Sequence, residues 1–496
     1  MELVYLWVED YKNIHQQGFN FSPRFKCTFH DEYDDANKLK DNCELEIEEN
    51  DNYVSIFPES INITTIVGEN GAGKSSVIDF ILKNTYKEFD KSKFIYIYHD
   101  NEKLYLESNL KFNIITDVEV FEDEHNNIET FNLVIDFAPG QRDIWNVKGE
   151  YHQYFALEPS RNYESSGPGA FGKIEPVSFD ANMKLNTLFF YYYLSKLPNG
   201  QAIIDKLKLP KFNHFTILRY RSMGEKVQND NLQNLQNQSF KNIQLSAQDY
   251  NELKDILSEN LIGNTYQIES ILEDDLIILD PLTIYIEIEI FDETKDISFG
   301  KLSTGQKLLI SYFGIIMRHY YKNSEKNFNI FVDEIETAFH PLFQRKLLNE
   351  LITMIQLALS NIQTSLILST HSPFILSDLP KENVIFLKEG KQVDIDIETF
   401  GANIHTLLSH GFFMQDGLMG EFAKSKINDV INFLNDGVES EKIKSNEDAQ
   451  KYINIIGEPI LKRQLQKILD SKRLSKIDEI DLLKQRIEEL EKKQND

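Results

Sequence analysis

Four short strings in this chain carry residues suited to phosphate chemistry, and they occur in one order. The first, Gly68-Glu69-Asn70-Gly71-Ala72-Gly73-Lys74-Ser75, fits a phosphate loop, G-x-x-x-x-G-K-[ST]. Its glycines let backbone N–H groups turn toward phosphate oxygens, and a following helix would add its N-terminal partial charge. Lys74 is expected to reach the β- and γ-phosphates of ATP and Ser75 to hold Mg2+, with Ser76 closing the nucleotide-binding run. The second string, Leu302-Ser303-Thr304-Gly305-Gln306, stands before a helix predicted from about Leu308. There the Ser303 hydroxyl and the Gly305 N–H could meet a γ-phosphate, with Gln306 beside them. Alone it is weak, because Ser-Thr-Gly is also helix-capping sequence. The third is an apolar run, Asn329-Ile330-Phe331-Val332, ending in Asp333 and Glu334. Asp333 is expected to hold Mg2+, directly or through water, and Glu334 to orient a water and take its proton. The fourth, Leu366-Ile367-Leu368-Ser369-Thr370-His371, brings a histidine to a strand end, in reach of the γ-phosphate. Each string has a bland reading; the four in sequence point to a Mg-ATP site.

These residues need strands and helices to hold them. Ile61 to Val67 is rich in β-branched residues and predicts a strand entering the glycine loop, with a helix starting across Val77 to Leu82. Leu3 to Val8 and Phe19 to Phe21 read as strands, and the acidic stretch Asp31 to Asn52 as an exposed loop or hairpin. Phe94 to Tyr98 and Leu104 to Leu106 flank a turn and predict a hairpin. Phe131 to Phe137 is a further strand, and an antiparallel sheet is expected here. Residues 158–173 read as a loop, 181–275 as mostly helical, and Thr283 to Ile290 as a period-two strand. Near the end, Leu461, Leu465, Ile468 and Leu469 share one helix face. Ile477, Ile480, Leu483, Ile487 and Leu490 recur every three to four residues, predicting an amphipathic helix that docks on the core or pairs with a partner. Docking is the simpler expectation.

The chain's 52 Lys and Arg against 79 Asp and Glu leave a net charge of -27. Such a surface repels a phosphate backbone, so any nucleic-acid contact needs a local patch or a partner. The best local patch is Lys206, Lys208, Lys211, His214, Arg219, Arg221 and Lys226, with Phe212, Phe215 and Tyr220 interleaved. A solvated surface is the plainer reading of it. No apolar run approaches the roughly 20 residues of a membrane span. Two cysteines, Cys27 and Cys43, do not form a disulfide framework, and together with the absence of a leader they predict a cytoplasmic protein.

The four strings together resemble the ABC-type ATPase head shared by transporters, SMC proteins and RecF-like proteins. The resemblance implies a P-loop α/β fold in which the second string, the signature, faces the phosphate loop of another protomer. One chain has one of each, which implies a head-to-tail dimer enclosing two ATP molecules. Glu336 to Pro341 then falls in the segment crossing that interface, and Thr304 departs from the family's more common glycine. The family's glutamine loop is not placed by any clear string, and Gln141 is a guess at it. The spacing is too wide for a transporter subunit and the insert too short for an SMC coiled coil, so compact RecF-like and OLD-like ATPases fit better. A Toprim nuclease in the same chain is rejected, because Glu389-Gly390 and Asp394-Ile395-Asp396 lie almost adjacent, as in a hairpin.

Finer similarities lie at the chain's ends. Tyr11-Lys12-Asn13-Ile14 with Gln17 to Ser22, Thr399 to His405, Met419 to Lys424 and Ile456-Gly457-Glu458-Pro459 resemble ATPases of Septu-type and retron-associated antiphage systems. Those ATPases work with a separate HNH endonuclease. The expected organisation is 1–180 and 276–400 as the two halves of the head, with antiparallel strands in the first. Residues 181–275 form a helical insert or arm, and 401–496 a helical tail for partner or oligomer contact. The expected activity is ATP hydrolysis switching a partner nuclease, with a RecF-like DNA-maintenance ATPase as the alternative. A scaffold that binds ATP without turning it over is a third reading.

Overall fold

The computed structural model describes residues 2–51, 53–85, 92–100, 103–122, 130–136, 152–156, 179–219, 265–273, 276, 286–322, 327–337, 339–359, 362–411 and 419–494. The strands in chain order begin with β1 (Glu2–Tyr11), β2 (Ile14–Asn20), β3 (Phe25–His30), β4 (Glu44–Glu49), β5 (Ile61–Gly68) and β6 (Phe94–Asp100). They continue with β7 (Lys103–Ser108), β8 (Asn113–Thr116), β9 (Val120–Glu122), β10 (Thr130–Asp136), β11 (His152–Ala156) and β12 (His214–Arg219). The last are β13 (Thr265–Gln267), β14 (Ile286–Phe291), β15 (Asn327–Asp333), β16 (Thr364–Thr370), β17 (Val384–Lys388) and β18 (Lys391–Gln392). The helices used below are α1 (Lys74–Thr85), α2 (Phe179–Lys196), α3 (Gly200–Lys206), α4 (Thr304–Lys322), α5 (Pro341–Ala358) and α6 (Pro373–Ser377), followed by α7 (Glu421–Asp436), α8 (Asn446–Ile455) and α9 (Pro459–Gln494). The chain is thus mixed α/β and divides into two units, Met1–Phe413 and Met414–Asp496.

In the first unit a seven-stranded sheet runs β11-β10-β15-β16-β5-β17-β18. All its pairings are parallel except β17 with β18. Strands in such a sheet are covered on both faces, so they read as unbroken apolar runs. Period two then divides their side chains between two cores. Ile63, Val67, Ile330, Leu366, Leu368 and Phe386 join the core that holds α2, α4 and α5. Ile66, Phe331, Ile367, Ile385 and Leu387 join a second core with α1 and the inner side of β1.

A five-stranded sheet, β2-β1-β6-β7-β9, lies over that second core. Its β1 is also buried from the far side, where Val4, Tyr5 and Trp7 meet Phe25, Cys27 and Leu45 of the β3-β4-β8 sheet. Both cysteines are buried and free, and burial pushes the Cys27 thiol up to about 12. The acidic stretch expected as a loop or hairpin forms a hairpin: β3 and β4 pair antiparallel, and Leu45 and Ile47 point inward. The hairpin of β6 and β7 turns between Asp100 and Lys103.

Three expectations need correction. The strand at Phe131 to Phe137 was expected in an antiparallel sheet; β10 instead pairs in parallel with β15, Asp136 opposite Asp333. Alternation identifies a strand but carries no information about its neighbour. The 181–275 segment was expected as an arm; its first helix, α2, lies inside the main core against α4. The two backbones approach so closely that a Cβ at Gly314 would lie 1.9 Å from the Asn186 carbonyl oxygen. The same segment ends in strands, with β12 paired to β13 and β14. The tail was expected from residue 401, yet Gly401 and Ala402 are hydrogen-bonded to Ser377, at the C-terminal end of α6, in the first unit. The loop at 158–173 and the whole segment from 220 to 264 lie outside the described residues, as does Gln141.

The second unit packs α7, α8 and the first turns of α9 around Val430, Phe433, Leu434, Ile453, Leu465 and Leu469. Lys472 closes it by donating to the carbonyls of Phe433 and Leu434 at 2.9 and 3.3 Å, the last turn of α7. No described helix is long and apolar enough to cross a membrane.

Candidate functional site

Strand order brings the first, third and fourth strings together. β15, β16 and β5 are adjacent and parallel, so Asp333, Thr370 and Gly68 end on the same sheet edge. The carboxyl edge of parallel strands is where open α/β sheets bind ligands. Gly71 and Gly73 take positive φ, +79° and +108°, which the turn into α1 requires and other residues resist. Glu69, Asn70 and Gly71 are exposed at the rim, whereas Ala72, Gly73 and Lys74 are buried beneath it.

The Lys74 ammonium donates to the carbonyls of Gly68 and Glu69, 3.1 Å each. Burial lowers its pKa, and the charges of Asp333, Glu334 and Glu336 only partly oppose that. Ser75 Oγ donates to Asp333 Oδ2 at 2.8 Å, which ties the start of α1 to the end of β15. Ser76 is half-buried in the next position. The other oxygen of Asp333 accepts from the Ser369 hydroxyl, which itself accepts the Glu334 N–H at 2.9 Å. Glu334 holds φ at +53°, a conformation that costs a non-glycine residue on the order of 1 kcal/mol. The left-handed turn ends the strand and sets Glu334 apart from Asp333.

Among the described residues no group of three His, Cys, Asp or Glu gathers into a cage for a metal. A serine hydroxyl hydrogen-bonded to one buried carboxylate is nevertheless a hard-oxygen pair of the kind that serves Mg2+ together with phosphate oxygens. His371 follows β16, half-buried. Burial and the Lys74 charge lower its pKa, while Asp333 works against both.

Sequence reasoning did not give roles to four residues that hold this site. Glu336 accepts from the Thr370 hydroxyl at 2.6 Å and from the His371 N–H, fixing the fourth string to the third. Its own burial raises its pKa. Ser369 bridges Asp333 and Glu334, as above. Asn13 Nδ2 donates to the Gly71 carbonyl at 2.8 Å. Gly390 donates its N–H to the Ala72 carbonyl at 2.9 Å, and a Cβ there would lie 1.9 Å from the Asn13 carbonyl oxygen. The β1–β2 turn and the β17–β18 turn thus touch each other and both hold the loop. Glu389-Gly390 is the hairpin turn expected, and Asp394 is used in a salt bridge to Lys381 at 2.8 Å. Only tight packing marks these residues, and one sequence does not display packing.

The second string stands apart. Ser303 Oγ and N–H both donate to Gln306 Oε1, at 2.9 and 3.1 Å, and the Gln306 N–H approaches Ser303 Oγ at 3.4 Å. This reciprocal cap starts α4. Ser303 and Thr304 are exposed, and Gly305 is covered by the Phe343 ring. Among the described residues no hydrogen bond joins Ser303, Gly305 or Gln306 to the 68–76 loop of the same chain. The His340 ring caps α5, accepting from the Leu342 N–H at 3.2 Å, at the end of the Glu336 to Pro341 segment.

The basic patch loses two of its three aromatic platforms. Phe212 and Phe215 are buried in the main core, because alternation along β12 turns Phe215 inward with Ile217. His214 stacks on Phe291, and Lys211 pairs with Asp205 at 3.1 Å. Lys206 and Lys208 are exposed. Tyr220, Arg221 and Lys226 lie outside the described residues, and of the Arg219 side chain nothing is described.

No protein-family model and no curated protein sequence matches this chain. Two SMC head domains are among the solved structures that resemble it. One is an SMC head domain from Thermotoga maritima, 11% identical, covering 80% of this chain and 100% of that one at a TM-score of 0.30. The other is the Smc head domain with an extended coiled coil bound to the C-terminal domain of ScpA, derived from Pyrococcus furiosus. It is 11% identical and covers 79% of this chain and 94% of that one at a TM-score of 0.25.

Proposed function

We propose that this chain is a Mg-dependent ATPase of the ABC head type, working as a head-to-tail dimer that switches a separate nuclease. The observation that carries the ATPase reading is the Ser75–Asp333 hydrogen bond. It joins a glycine loop followed by a helix to a carboxylate pair, the two parts a nucleoside triphosphatase needs in contact. In this reading the loop N–H groups and Lys74 hold the phosphates, Ser75 and Asp333 hold Mg2+, and His371 meets the γ-phosphate. The ion, when bound, neutralises phosphate oxygens. Glu334 takes a proton from the attacking water as a new P–O bond forms and the bond to the ADP oxygen breaks. Glu336 positions His371 through its backbone N–H.

The exposed Ser303 and the lack of a link to its own loop support a site completed by a second copy. A mixing experiment tests this. Lys74→Met and Ser303→Arg chains are each expected to be nearly inactive in steady-state phosphate release. Mixed, they form heterodimers with one intact composite site, and activity returns to a measurable fraction of wild type. No recovery at any ratio would remove the shared site.

The nuclease partner rests on the resemblance of the chain's ends to Septu-type ATPases and on the charge of -27, which leaves DNA contact to a partner. Capture of the tagged Glu334→Gln chain from its native host with ATP is expected to retain an HNH-type or other nuclease in stoichiometric amount. Recombination or replication proteins with DNA, and no nuclease, would favour the DNA-maintenance reading.

A further inference from the structure

The expectation that the terminal stripe docks on the core fails in a specific way. Helix α9 is one continuous helix of 36 residues, yet only its first turns carry buried leucines, Leu465 and Leu469. Further along, among the residues whose side chains are described, Ile480, Leu483 and Ile487 are 50%, 54% and 54% exposed. Large apolar side chains repeated along one face and left in water mark an interface more often than a finished surface.

The spacing gives the occupant. With Ile480 at heptad position a, Leu483 falls at d, Ile487 at a and Leu490 at d. Isoleucine at a with leucine at d favours a parallel, two-stranded coiled coil. The flanking charges agree. In a parallel pair of identical chains, position g of one faces position e of the next heptad on the other. Glu479 at g then meets Lys484 of the second copy, and Arg486 at g meets Glu491. An antiparallel pair that matches Ile480 with Leu490 sets Arg486 against Arg486 and Lys484 against Lys484. Like charges facing each other work against that alternative. Leu474, though exposed, falls at b and lies outside the seam.

We infer that the Ile480–Leu490 segment is a nucleotide-independent dimer contact, a short parallel coiled coil between two copies of this chain. The seam covers about two heptads, fewer than the roughly three to four heptads that mark a self-sufficient coiled coil. Its role is therefore that of a tether. Two chains held at their tails meet again at high effective concentration, so ATP would close an existing pair rather than recruit one from solution. The tether does not depend on the ATPase reading, and its test uses no nucleotide.

The full-length chain carrying Lys74→Met, which silences the nucleotide site, is followed by sedimentation velocity over a concentration series without ATP. Reversible dimerisation is expected. Lys484→Glu sets Glu479 against a like charge and is expected to weaken it about tenfold, or ~1.4 kcal/mol. Glu479→Lys combined with Lys484→Glu exchanges the two charges and is expected to restore it. Orientation is read separately. Ile480→Cys and Leu490→Cys chains are each expected to form self-disulfides on mild oxidation, because a parallel pair sets like positions together. A monomer at every concentration would overturn the tether, and so would a dimer indifferent to these charges. Disulfides formed only when the two cysteine variants are mixed would overturn the parallel arrangement. The tail substitutions all lie on the later turns of α9 and touch none of the second unit's core residues, so folding of that unit is not at stake.

Discussion

Replacing Glu334 by Gln is expected to lower steady-state ATP turnover by about 10²- to 10⁴-fold, the usual contribution of a positioned general base. ATP binding is expected to persist, and the proposed ATP-bound dimer to outlive that of the wild type. The change is isosteric, and it keeps the backbone turn at φ +53° and the N–H bond to Ser369. It removes the ability to accept a proton, together with the negative charge that acts on Lys74. Glu336 is the control, because it is the other carboxylate of this strand end. Its oxygens already accept from the Thr370 hydroxyl and the His371 N–H, so it has no part left to play as a base. Glu336→Gln is expected to reduce turnover by a smaller factor, through the placement of His371. Phosphate release and retention of labelled ATP on the protein check both. Unchanged turnover in Glu334→Gln would remove that residue from the role, and a larger loss in Glu336→Gln would transfer it.

The second large effect is on stability and has opposite signs with and without nucleotide. Lys74 is a buried cation whose pKa burial lowers in spite of three carboxylates nearby. A folded pKa below the unfolded value of 10.5 means that the charged lysine costs stability at neutral pH. Lys74→Met keeps most of the volume and removes the charge. Without nucleotide the variant is expected to be more stable, by on the order of 1 kcal/mol. The sign fixes the pH dependence. Between the lowered pKa and 10.5 the unfolded chain binds more protons, so wild-type stability rises with pH there and the gap to the variant narrows. With Mg-ATP the order reverses. Wild type gains stability by mass action, about 2.7 kcal/mol at a hundredfold excess over Kd, and the variant gains none. Thermal melts with and without Mg-ATP, repeated across pH, read both halves. A variant less stable than wild type without ATP would show that the two carbonyl contacts of Lys74 outweigh its burial.

Much of the site could be read from one sequence because its chemistry needs rare residue types at fixed spacing. The glycines of the loop are there for positive φ and for backbone approach, and lysine, serine and paired carboxylates are seldom interchangeable at such a site. The strands that carry them are legible for a related reason. A strand covered on both faces is largely apolar or β-branched, as Ile61 to Val67 is apart from Asn62, and Leu366 to Leu368 is apolar throughout. The glycine loop stands between such a strand and a helix in the folded chain as it does in the pattern.

Other features were invisible for equally physical reasons. Phe212 and Phe215 read as interleaved aromatics in a basic run, and the fold buries them, because a strand hides every second residue and the hidden set depends on what lies opposite. Helix α2 read as part of an arm, although Gly314 admits it into the core at a distance only glycine allows. Asn13 and Gly390 lie at opposite ends of the first unit's sequence and touch the same loop.

The sequence by itself determined which residue types suited to phosphate chemistry are present, in what order they occur, and the period of the strands and helices that carry them. Those properties are local, set by side-chain chemistry and by backbone preferences over a few residues. Only the tertiary structure decided which strand lies beside which, and so that Ser75 meets Asp333, that Ser369 and Glu336 lock the carboxylates to the histidine strand, and that Ser303 is left exposed. It also decided that the last apolar stripe stays in water. These are pairings between segments far apart in the chain, chosen by the packing of the whole core, and no window of sequence contains both partners.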